Sequence, residues 1–221
     1  MFRSRRFRLW AVPAVALVIT FAALAWFSPM LSVREVRIEG AGAIPEDRIR
    51  ELLQIPDQGS ILRIDTAAMA QRVATIPKVR SVRVQRVLPS TVRVRIEPRT
   101  PVLYYDTAEG AHLLDADGIE YAIEPAPIGV PELVTEKPGS ADVLTRAAVA
   151  VARALPPELT VQVDTVHAET VSDISLTLRD GRTVLWGSSE DGERKSAVVL
   201  PLLTRPGTVF DVSSPSLVTV R

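Results

Sequence analysis

Residues 9–27 read LWAVPAVALVITFAALAWF and hold no charged side chain. A helix needs about 20 apolar residues to cross the hydrocarbon layer of a bilayer, and this run reaches that length with the few residues after it. Pro13 stands near the start of the run, where a missing N–H costs little, and Trp10, Trp26 and Phe27 mark its two ends as interfacial aromatics do. Arg3, Arg5, Arg6 and Arg8 precede it, whereas Arg34, Glu35, Arg37 and Glu39 after it mix both signs. The positive-inside rule therefore predicts a cytoplasmic tip at residues 1–8, a transmembrane helix at residues 9–30 and everything later outside the cytoplasm. Ala23-Leu24-Ala25 also has the form of a signal-peptidase site, but Trp26 and Phe27 continue the apolar run past it, which suits an anchor. Either reading places the bulk of the chain in the same compartment.

With 221 residues, 47% of them hydrophobic, the chain can bury one medium core or two small ones. Lysine plus arginine equals aspartate plus glutamate at 26 each, so no global field points to nucleic acid or to an acidic substrate. Cysteine is absent, which removes disulfides, thiol nucleophiles and thiolate metal sites together and leaves His112 and His167 as the imidazoles.

In residues 31–98, Val36 and Ile38 alternate with Arg37 and Glu39 as a half-buried strand does. Pro45, Glu46 and Asp47 open a helix that sets Ile49, Leu52 and Leu53 on one face. Asp65 is a candidate N-cap for a second helix carrying Met69, Val73 and Ile76, up to Pro77. Two strands follow, with Val82 and Val84, then Val92, Val94 and Ile96, facing inward across a turn at Pro89-Ser90. Arg80, Arg83, Arg86, Arg93 and Arg95 are assigned to the outward face. Arg83, Arg93 and Arg95 then form a membrane-proximal basic face, read either as a contact for anionic headgroups or as a solvated edge kept soluble by charge. No aromatic residue interleaves with these arginines, which argues against RNA.

This β-α-α-β-β unit resembles a POTRA domain, and a POTRA domain directly after one N-terminal span resembles the FtsQ/DivIB cell-division family. The likeness is carried by VREVRIEG at residues 33–40, Gly59-Ser60-Ile61-Leu62, Ile76-Pro77-Lys78-Val79, and Leu88-Pro89-Ser90-Thr91-Val92 with Glu97-Pro98.

Pro98 to Pro101 make a stiff junction, after which strands dominate residues 99–221. Strands are expected at residues 102–105, 112–114, 119–123, 161–166, 174–178, 183–186, 209–212 and 217–220. Helices are expected from Ser140 to before Pro156 and over residues 193–203, and the proline-rich stretch 125–138 is expected to be loop. Leu114-Asp115-Ala116-Asp117-Gly118, residues 181–187, Lys195 and Phe210-Asp211-Val212 resemble the β-domain of the same family, so the likeness covers residues 1–221. The expected fold is α+β: an N-terminal transmembrane helix, a POTRA domain at residues 31–98, then a mostly antiparallel β-domain with accessory helices at residues 99–221.

Asp115 and Asp117 lack the further oxygen ligands of a calcium loop and read as a turn before Gly118. No G-x-S-x-G elbow, Walker A loop, dinucleotide fingerprint or H-E-x-x-H is present. Nothing here singles out a catalytic, cofactor-binding or metal-ligating residue.

The resemblance implies a non-catalytic divisome scaffold at the septum that binds single-pass proteins of the FtsB/DivIC and FtsL type. It would help to recruit and regulate septal peptidoglycan synthesis without cofactor, small-molecule substrate or nucleic acid. It also implies partner binding at the end of the β-domain: Leu217, Val218, Thr219, Val220 and Arg221, with Ser213, Ser214 and Lys195. Two other classes compete. A POTRA chaperone of outer-membrane or secretion machinery would need a β-barrel that this length does not hold. A membrane-tethered cell-wall hydrolase would need paired acids that no local setting distinguishes.

Overall fold

The structure is a computed structural model that describes residues 31–56 and 59–221. The expected span at residues 9–30 lies outside the described residues, and among those described no helix is long and apolar enough to cross a membrane. The chain divides at Pro98 and Arg99 into two compact units.

In the first unit the order is β1 (Glu35–Glu39), α1 (Glu46–Leu53), α2 (Thr66–Val73), β2 (Val79–Val87) and β3 (Thr91–Pro98). The hairpin makes β2 and β3 antiparallel, and the two-helix crossover brings β1 back parallel to β3, so β3 is central. Val84, Val92, Val94 and Ile96 are buried in one cluster with Ile49 and Leu53 of α1 and Met69 and Val73 of α2. The Asp65 carboxylate caps α2, accepting from Ala67 N and Ala68 N at 3.0 Å each. The helix ends at Val73 rather than running to Pro77. Thr75 and Ile76 close in tight turns, because proline disfavours helical geometry in the residue before it. Gly40 carries φ +78° where β1 ends, and a Cβ there would lie 2.2 Å from the Ile96 carbonyl oxygen.

Register places Arg83 opposite Arg95 and Gln85 opposite Arg93, all on the face turned away from the buried valines. Part of the charge on that face is answered: Glu39 pairs with Arg93 at 3.4 Å and with Arg95 at 3.2 Å. Arg86 corrects the sequence assignment. It lies opposite buried Val92, on the helix side, and its guanidinium donates to Ile64 O at 2.6 Å.

The second unit contains β4 (Pro101–Thr107), β5 (Gly110–Asp115), β6 (Glu120–Glu124), β7 (Glu132–Val134), α3 (Val143–Ala154), α4 (Pro157–Thr160), β8 (Val163–Thr170), β9 (Asp173–Leu178), β10 (Thr183–Gly187), α5 (Gly192–Leu203), β11 (Val209–Asp211) and β12 (Thr219–Val220). They form one nine-stranded sheet in the order β12-β11-β10-β9-β8-β7-β4-β5-β6. Antiparallel pairs predominate, with parallel pairing at β4–β7, β7–β8 and β10–β11. The core gathers Leu103, Leu114, Val166, Leu176, Val184, Trp186 and Phe210 from the sheet with Ala148, Val151 and Val199 from the helices.

Three expectations change here. Residues 125–138 are not all loop: β7 lies in mid-sheet, with Leu133 buried and Pro131 O accepting from Tyr104 N at 3.2 Å. Helix α3 starts at Val143 under an Asp142 cap, while Ser140 accepts from Glu120 N instead. The terminal strand is Thr219–Val220 alone, and Leu217 lies outside it, 74% exposed.

Candidate partner-binding edge

Among the described residues β12 has a strand on one side only. Val209 and Arg221 exchange two hydrogen bonds, Arg221 N to Val209 O at 2.9 Å and Val209 N to Arg221 O at 3.0 Å. Antiparallel pairing alternates, so Thr219, opposite Asp211, also faces β11. The N–H and C=O groups of Val218 and Val220 therefore point to the open side. Their side chains pack partly against the core, while Thr219 and Arg221 are exposed on the other face. An edge of this kind offers backbone hydrogen bonds to an added strand, with exposed side chains to discriminate between strands.

Several residues hold the edge in place. A Cβ on Gly207 would lie 2.4 Å from Val220 Cγ1 and 3.0 Å from Arg221 O, so the absent side chain makes room for the last strand. Arg182 donates from Nε to Asp180 Oδ2 at 2.7 Å and from Nη1 to Leu203 O at 2.8 Å, and its Cζ lies 5.5 Å from the centre of the Phe210 ring. It thereby ties the β9–β10 turn, the C-terminal end of α5 and β11 together. Asp211 Oδ1 accepts from Ser213 N at 3.0 Å and from Ser213 Oγ at 2.6 Å, which shapes the turn after β11. Ser213 and Ser214 are exposed beside the edge.

Lys195 does not belong to that surface. It is 1% exposed, and its ammonium donates to Ser188 O at 2.8 Å, pinning the turn between β10 and α5. Burial pushes its pKa below the ordinary lysine value, while the carboxylates of Asp191 and Glu190 pull the other way. A lysine on a surface helix reads as exposed; only the turn that folds over it buries the amine. Sequence reasoning also assigned no role to Arg182 or Gly207. Arg182 follows a turn glycine like any solvated arginine, and Gly207 follows Pro206 like any loop residue.

The remaining polar clusters serve the sheet. Asp115 Oδ1 accepts from Asp117 N and Ile119 N at 2.9 Å each and Arg99 pairs with its other oxygen, so this carboxylate organises a turn. Among the described residues no group of three or more acids and histidines could hold a metal. Near β6, the Glu120 carboxylate accepts from Tyr105 Oη at 2.6 Å and lies 2.8 Å from His112 Nδ1. Burial alone would raise its pKa, but the bonds to Tyr105 and His112 outweigh it and hold it below the ordinary value.

Residues 31–99 match the family model described as POTRA domain, FtsQ-type, and residues 103–213 match that described as Cell division protein FtsQ/DivIB, C-terminal. The chain is 41% identical to the cell division protein FtsQ of Mycolicibacterium smegmatis over 219 residues, 99% of this chain and 66% of that protein. Against FtsQ of Mycobacterium tuberculosis H37Rv it is 42% identical over 89% of this chain and 62% of the relative. It thus spans a little under two thirds of the length of these relatives. With FtsQ of Corynebacterium glutamicum it shares 35% identity over 94% of each chain. The extracytoplasmic domain of DivIB from Geobacillus stearothermophilus gives a TM-score of 0.37 at 15% identity, over 50% of this chain and 98% of that one, too slight to carry an argument. The POTRA unit, the β-domain after it and the full-length relatives agree, and the chain belongs to the FtsQ/DivIB family of cell division proteins.

Proposed function

We propose that the chain is a non-catalytic scaffold of the division machinery that captures single-pass division proteins of the FtsB/DivIC and FtsL type outside the membrane. Capture proceeds by strand addition to β12, and through it the chain helps to recruit and regulate septal peptidoglycan synthesis. Residues 1–8 lie in the cytoplasm, residues 9–30 cross the membrane, and both described units stand outside at the septum. The observation that carries this reading is the open side of β12, with the backbone groups of Val218 and Val220 unpaired by any described strand. Family membership supports a role in the divisome, and the edge supplies a physical means of binding.

Val218→Pro removes one donor from the open side and leaves the Thr219 and Arg221 bonds to β11 in place. In a pulldown of full-length protein from membranes, this variant is expected to lose the FtsB/DivIC-type partner while remaining membrane-bound and folded. A folded variant that retains the partner at wild-type levels would show that capture occurs elsewhere.

A further inference from the structure

Backbone hydrogen bonds fix where the chain enters the first unit. Ile61 N donates to Leu31 O at 2.7 Å, Val33 N to Gly59 O at 3.1 Å and Arg34 N to Ser90 O at 2.9 Å. Glu35 lies opposite Thr91, and Arg86 opposite Val92. The start of β1, the 59–64 segment and the closed end of the β2–β3 hairpin therefore share one pole. Residues 1–30 attach at that pole, through Leu31.

The surface there differs from the sheet face above it. Leu88, at the tip of the hairpin, is 62% exposed and joins no core cluster. Arg34 and Arg86 are exposed near it. Arg86 spends a hydrogen bond on the neutral Ile64 carbonyl, which leaves its charge in place. Glu35, next to Arg34 in the chain, is already paired with Arg37 at 2.7 Å. On the sheet face one carboxylate, Glu39, is shared between Arg93 and Arg95. The balance of charge in the two units agrees. Residues 31–98 hold twelve basic against eight acidic side chains, whereas residues 99–221 hold ten against eighteen.

We propose that this pole, an apolar tip at Leu88 beside Arg34 and Arg86, rests on the anionic headgroup layer of the membrane. Leu88 enters the interface and the arginines contact lipid phosphates, which sets the orientation of the first unit above the bilayer. The inference rests on reading residues 9–30 as a span, since a span delivers the chain to the membrane surface at this pole. Each arginine at an anionic surface strengthens the contact about fivefold, and the acidic second unit is repelled by the same surface.

The chain contains no cysteine, so single labels can be placed without background. Leu88→Cys in the full chain, carrying a polarity-sensitive fluorophore, is reconstituted into vesicles of phosphatidylcholine with phosphatidylglycerol that contain a lipid-borne quencher. Val161→Cys, exposed at 63% in the second unit, is the control. The Leu88 label is expected to shift to the blue and to be quenched, the Val161 label to stay unquenched, and the difference to disappear in phosphatidylcholine alone. Arg34→Gln is expected to weaken the contact about fivefold, and Arg34→Gln with Arg86→Gln about 25-fold. Glutamine keeps a donor for Ile64 O, and Arg34→Gln alone touches no described side-chain bond. A chain that floats with the vesicles while its Leu88 label matches the Val161 control overturns the proposal. A chain that does not float overturns the span and the proposal together.

Discussion

The two units solve the problem of a half-exposed sheet in different ways. In the first, three strands of five to nine residues carry regular alternation, and on the polar face Glu39 answers part of the charge of Arg93 and Arg95. Exposed ion pairs of this kind contribute about 0–1 kcal/mol each, so they make the face soluble more than they hold it together. In the second, the nine-stranded sheet is held at mid-sheet by the three-residue β7 and ends on the two-residue β12. Shortness protects an open edge from unspecific pairing while leaving a few backbone groups for a chosen partner. The contact proposed for the first unit is at the pole where the chain enters. That proposed for the second is a sheet edge, which has to be held rigid from behind.

The sharpest way to separate the units is to break the first alone. Gly40→Val forces a β-branched residue to φ +78° and drives its Cβ toward the Ile96 carbonyl. The combined strain is expected to cost about 3–5 kcal/mol, enough to unfold a small domain. Hydrogen exchange should show lost protection in β2 and β3 and unchanged protection in β8 and β9. Equal loss in both would mean that the units are stable only together.

The same contrast explains what could be read from the sequence. The first unit was legible because its signals are local: Asp65 before a helical stripe, alternating valines in a hairpin, a proline after each helix. Arg86 was misplaced there although it has the parity of inward Val82 and Val84, so alternation along β2 itself puts it on the helix side. The second unit hid β7, because three residues between prolines show no periodicity and their strand character comes entirely from β4 and β8 on either side. It hid the burial of Lys195 for the same reason, as the turn that covers the amine is remote from anything in the local pattern. The terminal strand was foreseen but drawn too long, since Leu217 and Val218 have β propensity without a partner residue on β11. The span and the partner types are proposed from pattern and resemblance alone.

The rigid backing of the β12 edge gives the next prediction. Lys195→Ala leaves Ser188 O without its donor and opens a space beside the core, which is expected to cost about 2–4 kcal/mol. Arg194→Ala, at an exposed neighbouring position, should stay within about 0.5 kcal/mol of wild type. Denaturant titration of the two variants measures the difference. Because Lys195 supports the β10–α5 turn without reaching the surface, its loss should weaken partner capture only in proportion to the loosening of the unit. A Lys195→Ala protein as stable as wild type but blind to its partner would return the amine to the binding surface.

The smallest effect is expected at the far end of the same sheet, where β6 carries Glu120. Burial alone would raise its pKa, but its carboxylate accepts from Tyr105 and faces His112, and these bonds hold the folded pKa below the ordinary carboxylate value. A group with a depressed folded pKa stabilises the fold fully above its unfolded value and loses that contribution as pH falls through the folded one. Glu120→Gln keeps an acceptor for Tyr105 but not the charge, so it should cost about 1 kcal/mol at pH 7. The gap from wild type should close as the pH is lowered below 4.5, because both proteins then present a neutral side chain to Tyr105. Denaturation midpoints at pH 7 and pH 3 test the sign, and a gap that widens in acid would refute it. Since β6 and β12 are opposite edges of one sheet, the substitution should leave partner capture at pH 7 unchanged. Lost capture in a stable Glu120→Gln protein would make the β6 edge a second binding surface.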